Sequence, residues 1–251
     1  MRDFLAAPGA ITKAFRFFFA LLILGSAQSL YAIIQIETTV DPSTSKAFIL
    51  DLRQKTGLAS IGIDRNRQLT FRQDERRVAG SEIMFELITN AIRDPKNTFF
   101  IRDFSRADYI HFSETDQGTV DVETGKTAYE VKFDFEDFKR SRRYSSDEAL
   151  GSFSFGINLF HEIDHKVSYD PSDPIPETGV RPDHGSRETR GVIERTNLVR
   201  RQLGLIPRDS KSHSGRRYKG IVGLFKNTFQ ILFKDDFGRR KFLRWKVGRR
   251  S

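Results

Sequence analysis

The stretch "LFHEIDH", Leu159 to His165, places two imidazoles four residues apart with a carboxylate directly after the first. The whole chain holds five histidines in 251 residues, so the pair is not a by-product of a His-rich composition. Upstream, "SSDEALGSFSFGIN" offers a cap-like Ser146, acidic Asp147 and Glu148 for a first turn, and Leu150, Phe153, Ile157 and Phe160 on one side. That is the pattern of one helix, Ser145 to Tyr169, weakened in its first half by two glycines. On a helix, positions i and i+4 share a face, so His161 and His165 can turn two ring nitrogens to one ion. Glu162, one step round, then reaches a water on that ion rather than the ion itself. The plainer reading, two satisfied helix histidines beside a solvated Glu162, would leave two imidazoles on an apolar face without compensation.

An ion held this way for catalysis needs a third protein ligand and one open position. With no cysteine in the chain, that ligand has to be His, Asp or Glu. The extended motif that adds a Gly and a third His is excluded, because Ser168 and Pro171 stand at those positions. After the loop "DPSDPIPETGVRPDHG" with its four prolines, a further helix is expected over "SRETRGVIERTNLVRRQLG", ending at Gly204. At helical spacing Glu188, Val192, Thr196, Val199 and Leu203 form one stripe, whereas Glu194 lies nearly opposite. Glu188 is therefore the expected third ligand and Glu194 the alternative, its plainer reading being a solvated charge beside Arg190 and Arg195. Asp164 reads either as a group orienting a ligand histidine or as a solvated carboxylate. Tyr169 and His184 are the nearest candidates for stabilising an oxyanion, against the simpler reading of loop residues. His111 and His213 have no partner at useful spacing.

Working outward, "SKAFILDLRQKTG" reads as a helix capped by Ser45 and stopped by Gly57, and "GSEIMFELITNAIRDP" as a second, capped by Ser81 and stopped by Pro95. Between them "LASIGID" and "RQLTFRQ" form a hairpin-like pair about the turn "DRNR". "NTFFIRD", "ADYIHFS" and "AYEVKFDF" are β-rich runs, the last two parted by the long break "ETDQGTVDVETGK". Mixed elements with helices clustered late predict an α+β fold with a small mixed or antiparallel sheet. At 38% hydrophobic and 30% charged, the chain suits one main domain with appendages, and excludes a multi-span membrane protein.

The ends differ from the middle. Arg2, Lys13 and Arg16 precede the apolar run "FFFALLILG", Phe17 to Gly25, and then small residues ending at Ala27 or at Ala32. This is the order of a secretory signal peptide over residues 1–27. The rival is a membrane anchor over Phe17 to Ile36, and a buried helix is the third reading. The first two put the body of the protein outside the cytoplasm. The net charge of +9 sits at the other end, where Arg208 to Ser251 holds 14 Lys and Arg against 3 Asp. Residues 209–251 are read as a basic tail whose Phe, Trp and Tyr pack on the main domain or on a lipid face. Its Lys and Arg would attract an acidic partner or an anionic membrane surface. No nucleic-acid fold signature accompanies it, so nucleic acid is not the expected partner.

"LFHEIDH" followed by "RETRGVIERTN" and "RRQLGLIPR" resembles the NleD-like effector zinc metallopeptidases and related zincin-like toxin domains. The resemblance spans roughly residues 46–208, including "FILDLRQKTGLASIGID" and "SEIMFELITNAI". It departs at Lys166, where a small residue is usual, and at Asp164 within the motif. It implies a zincin-like fold with zinc as cofactor, the acidic step at Glu188, and a displaced Glu-Asn at Glu194 and Asn197. Together with the motif it implies hydrolysis of a protein or peptide substrate, with Glu162 as general base and His161, His165 and Glu188 on zinc, in a secreted effector or toxin. The alternative is an inactive zincin-like binding module that works through its basic tail.

Overall fold

The computed structural model describes residues 33–106, 112–167, 184–209, 216–218 and 228–246, with backbone alone at 184–190, 216–218, 228–229 and 246. These residues lie within one compact unit, Ala32–Ser251. The signal-peptide reading of residues 1–27 lies outside them.

The sheet is built on three parallel strands, β1 (Ile33–Ile36), β4 (Asn97–Asp103) and β7 (Thr127–Phe133), with β5 (Ser113–Thr115) and β6 (Thr119–Val120) antiparallel along the far side of β7. Register sets cross-strand rows: Ile34, Phe99 and Tyr129 in one, Ile36, Ile101 and Val131 in the next. Alternation puts these rows on one face, and all but Tyr129 are fully buried there. The other face carries Arg102, ion-paired to Glu37 and Glu130, so the sheet has one apolar face. The result is α+β with a small mixed sheet. The antiparallel alternative does not hold, because β1 and β4 are joined by a crossover.

That crossover holds α1 (Pro42–Thr56), the hairpin β2 (Gly62–Ile63) with β3 (Leu69–Thr70), and α2 (Glu82–Arg93). Helix α1 begins earlier than its sequence reading. Asp41, not Ser45, is the cap, accepting from the Ser43 and Thr44 amides with Pro42 at the first helical position. Gly57 does end α1, at φ 79°. Ser81 caps α2 through the Met84 amide.

Three differences from the sequence reading concern the core. First, Ile33–Ile36, the end of the anchor reading, is a strand with Ile34 and Ile36 fully buried in the core; residues 17–32 of that reading lie outside the described residues. No helix among the described residues is long and apolar enough to cross a membrane. Second, the long motif helix is two: α4 (Asp147–Gly151) and α5 (Phe155–Val167), after a short α3 (Phe135–Ser141) that the sequence reading leaves unassigned beyond Phe135. Gly156, in the first turn after the break, marks a close approach of α5 to α1 and α2. A Cβ there would stand 3.0 Å from both Asp51 Oδ2 and Met84 Cε, and its amide donates to Asp51 Oδ2 at 2.6 Å. Third, the C-terminal stretch supplies β8 (Arg216–Tyr218), β9 (Thr228–Lys234) and β10 (Arg240–Lys246), an antiparallel sheet in the order β10-β9-β8. Ile231, Phe233, Leu243 and Trp245 join the main core, while Phe237 is exposed.

Trp245 is 1% exposed, with its ring 4.3 Å from that of Phe112. Trp245→Ala is expected to lower unfolding free energy by about 3–5 kcal/mol, read as a shift of the denaturant midpoint. A change below about 0.5 kcal/mol, the size of an ordinary surface substitution, would place these strands outside the cooperative unit.

Candidate functional site

Helix α5 forms because Ile157, Leu159, Phe160 and Ile163 bury almost completely while its motif face turns to a second helix, α6 (His184–Gln202). Val192, Thr196 and Val199 of α6 are fully buried, which is the stripe expected from spacing. Glu194 is exposed, on the flank away from it. Glu188 lies on α6 one turn before Val192, on the same stripe by helical spacing; its side chain is outside the described residues. So are the side chain of His184, which opens α6, and the whole of Tyr169. Among the described residues no group of three His, Asp or Glu is disposed to hold an ion.

The two motif histidines do converge. His161 Nε2 and His165 Nε2 are 3.3 Å apart, with the rings nearly perpendicular. Behind His161, its Nδ1 lies 3.2 Å from Thr196 Oγ1, and that hydroxyl donates its one proton to the Val192 carbonyl at 2.6 Å. Thr196 can therefore only accept from the ring, which makes Nδ1 the protonated nitrogen and leaves the Nε2 lone pair towards His165. His165 is held neutral: burial, then the neighbouring Lys166 and Arg195 charges, push its pKa down to about 4. With His165 neutral, nitrogens that face each other at this separation need a proton or a cation between them.

Glu162 is buried, and its carboxylate meets the edge strand β5. Ser113 Oγ donates to Oε1 at 2.7 Å and Thr115 Oγ1 to Oε2 at 3.0 Å. Residues i and i+2 of a strand share a face, so β5 offers both hydroxyls at once. Burial pushes the Glu162 pKa up; the two hydroxyls work against it, Glu114 adds to the rise and Lys166 opposes it. Sequence reasoning missed Ser113 and Thr115. Ser113 ends the β-rich run "ADYIHFS" and Thr115 lies in the break that reads as a loop, so no pattern joined them.

Asp164 is not solvated. It is 1% exposed, and Arg195 Nε donates to both of its oxygens at 2.9 and 2.7 Å. Lys166, the departure from the resembled pattern, sits 5.7 Å over the Tyr129 ring. Asn197 plays a scaffold part: its amide clips both backbone groups of Arg208, at 2.8 Å each, and accepts from Arg200 Nη1 at 3.0 Å. Arg200 is buried with its Nε on the Ser152 carbonyl at 2.9 Å, which ties α6 to the break between α4 and α5.

Comparisons with protein-family profiles, with characterised proteins and with solved structures return no match. The geometry thus stands on its own.

Thr196→Val removes the acceptor while keeping the volume. It is expected to cost about 1 kcal/mol of stability and to raise the share of the His161 Nδ1 lone-pair tautomer in nitrogen-15 spectra of the metal-free chain. An unchanged tautomer would mean that Thr196 does not set it.

Proposed function

We propose that this chain is a zinc-dependent endopeptidase of zincin-like fold, similar to the NleD-like effector metallopeptidases. The observation that carries the reading is the 3.3 Å approach of His161 Nε2 and His165 Nε2. Two nitrogens each about 2.0–2.1 Å from a tetrahedral zinc stand roughly 3.3 Å apart, so the donor pair fits the ion. Thr196 supplies the outer hydrogen bond that ligating histidines generally have. Glu188 is proposed as the third ligand on helical phase, since its turn of α6 leads into the buried Val192 and Thr196.

In this reading His161, His165 and Glu188 would hold zinc, which when bound supplies a Lewis acid that makes water nucleophilic near neutral pH. Glu162 accepts the proton of the attacking water and delivers it to the nitrogen of the leaving amine. A carboxylate raised by burial suits both halves of that transfer, and Ser113 and Thr115 fix its orientation. Asp164 and Arg195 lock α5 to α6, which carry the proposed ligands. The leader and its apolar run support delivery outside the cytoplasm.

Zinc retained after dialysis against a weak chelator tests the ligand set. Wild type and Glu162→Gln should keep one ion, Glu194→Ala should keep it too, and His161→Ala and Glu188→Ala should lose it. A wild type that holds zinc no better than His161→Ala would end the reading. An unbiased survey of new N-termini in cell extracts should show cleavages by wild type that Glu162→Gln does not make. A zinc-bound wild type that cuts no more than Glu162→Gln is instead an inactive binding module.

A further inference from the structure

On the outer flank of α6 lies a concavity whose chemistry the hydrolytic reading does not use. A cavity of about 710 Å³ runs between the outer flank of α6, residues 207–209 and the end of β9. Its walls carry Arg195, Arg201, Arg208 and Lys234 against Glu194 and Asp209. Asp209 is engaged by Lys234 at 3.1 Å, and Glu194 is exposed. Positive charge is therefore in excess around the opening.

Arg195 links this cavity to the motif. Its Nε is spent on Asp164, and neither Nη group has an acceptor among the described residues. The guanidinium lies against Gly191, with Nη1 3.3 Å from where a Cβ would stand, so the glycine leaves it room. Arg201 is exposed and forms no ion pair among the described residues. Two planar forks with unused donors, Arg195 partly shielded from water and Arg201 exposed, are suited to bidentate contact with a carboxylate or phosphate. The volume is that of a site for a whole side chain with its flanking backbone rather than for a lone ion.

We propose that this cavity is a subsite for an anionic side chain, a carboxylate or a phosphate monoester, of a bound peptide. That the carrier is a peptide rests on the endopeptidase reading; the anion site does not. Arg195 would hold the ligand with its Nη edge while its Nε holds Asp164, placing the anchored residue against α6, one ion pair away from the helix that bears Glu162.

Calorimetric titration of the full-length chain in chelator, at constant ionic strength, separates the two. The probes are the N-acetyl methylamides of phosphoserine, glutamate and serine. One saturable site is expected for phosphoserine or glutamate and none for serine; the tighter of the two anions identifies a phosphorylated or an acidic residue as the natural ligand. Arg201→Gln, which removes no contact of the fold, should weaken binding about tenfold, one charged hydrogen-bonding group's worth. Gly191→Ala should weaken it without altering charge, by crowding Arg195. Arg65→Gln, on the turn between β2 and β3, should change nothing. Absence of a saturable site, or equal losses in Arg201→Gln and Arg65→Gln, would overturn the proposal. Loss of the zinc reading would leave a positive result standing.

Discussion

The pairing of α5 with α6 is the constraint on which the site depends. Arg195 and Thr196, adjacent on α6, reach Asp164 and His161 on α5, so one turn of helix both braces the motif and sets the state of a ring. Asp164 is buried, and in that setting a carboxylate is tolerated only with a partner such as Arg195. The Thr196 contact is weaker in energy but more specific in consequence. By spending its proton on the Val192 carbonyl, Thr196 leaves the imidazole a single tautomer.

The sheet contributes through its edge. β5 is short and antiparallel to β7, and its hydroxyl face meets Glu162 where an apolar strand would have left a buried carboxylate unsatisfied. Burial and hydroxyl donors act in opposite directions on that group, and burial is the larger. An acid raised by its surroundings yet fixed in orientation is the combination that proton transfer at neutral pH requires.

The basic residues divide into two kinds. Arg200 is a structural cation, buried beside Phe233 and donating to neutral oxygens, with its pKa pushed well below the usual range by burial and by Arg208. Arg195 and Arg201 keep Nη donors without an acceptor among the described residues. Net charge alone draws no such line, and locating the +9 at the C-terminal end of the chain hid the cations that α6 gathers.

The sequence by itself determined the pieces that short-range physics controls. Helical spacing placed His161, Glu162 and His165 on one helix and set Val192, Thr196 and Val199 inward with Glu194 outward. Glycine and serine punctuation located Gly57 and Ser81 as helix ends. Only the tertiary structure decided matters that need two distant segments. Ile33–Ile36 reads as the end of an apolar leader until β4 is beside it, and Phe229 to Trp245 reads as a tail until the strands close on Phe112 and the core. Asp164 had two readings because its partner lies 31 residues away, and Ser113 and Thr115 gained a role only when Glu162 arrived 49 and 47 residues later. Periodicity says which face of an element is buried; it carries no information about what the other side of the contact brings.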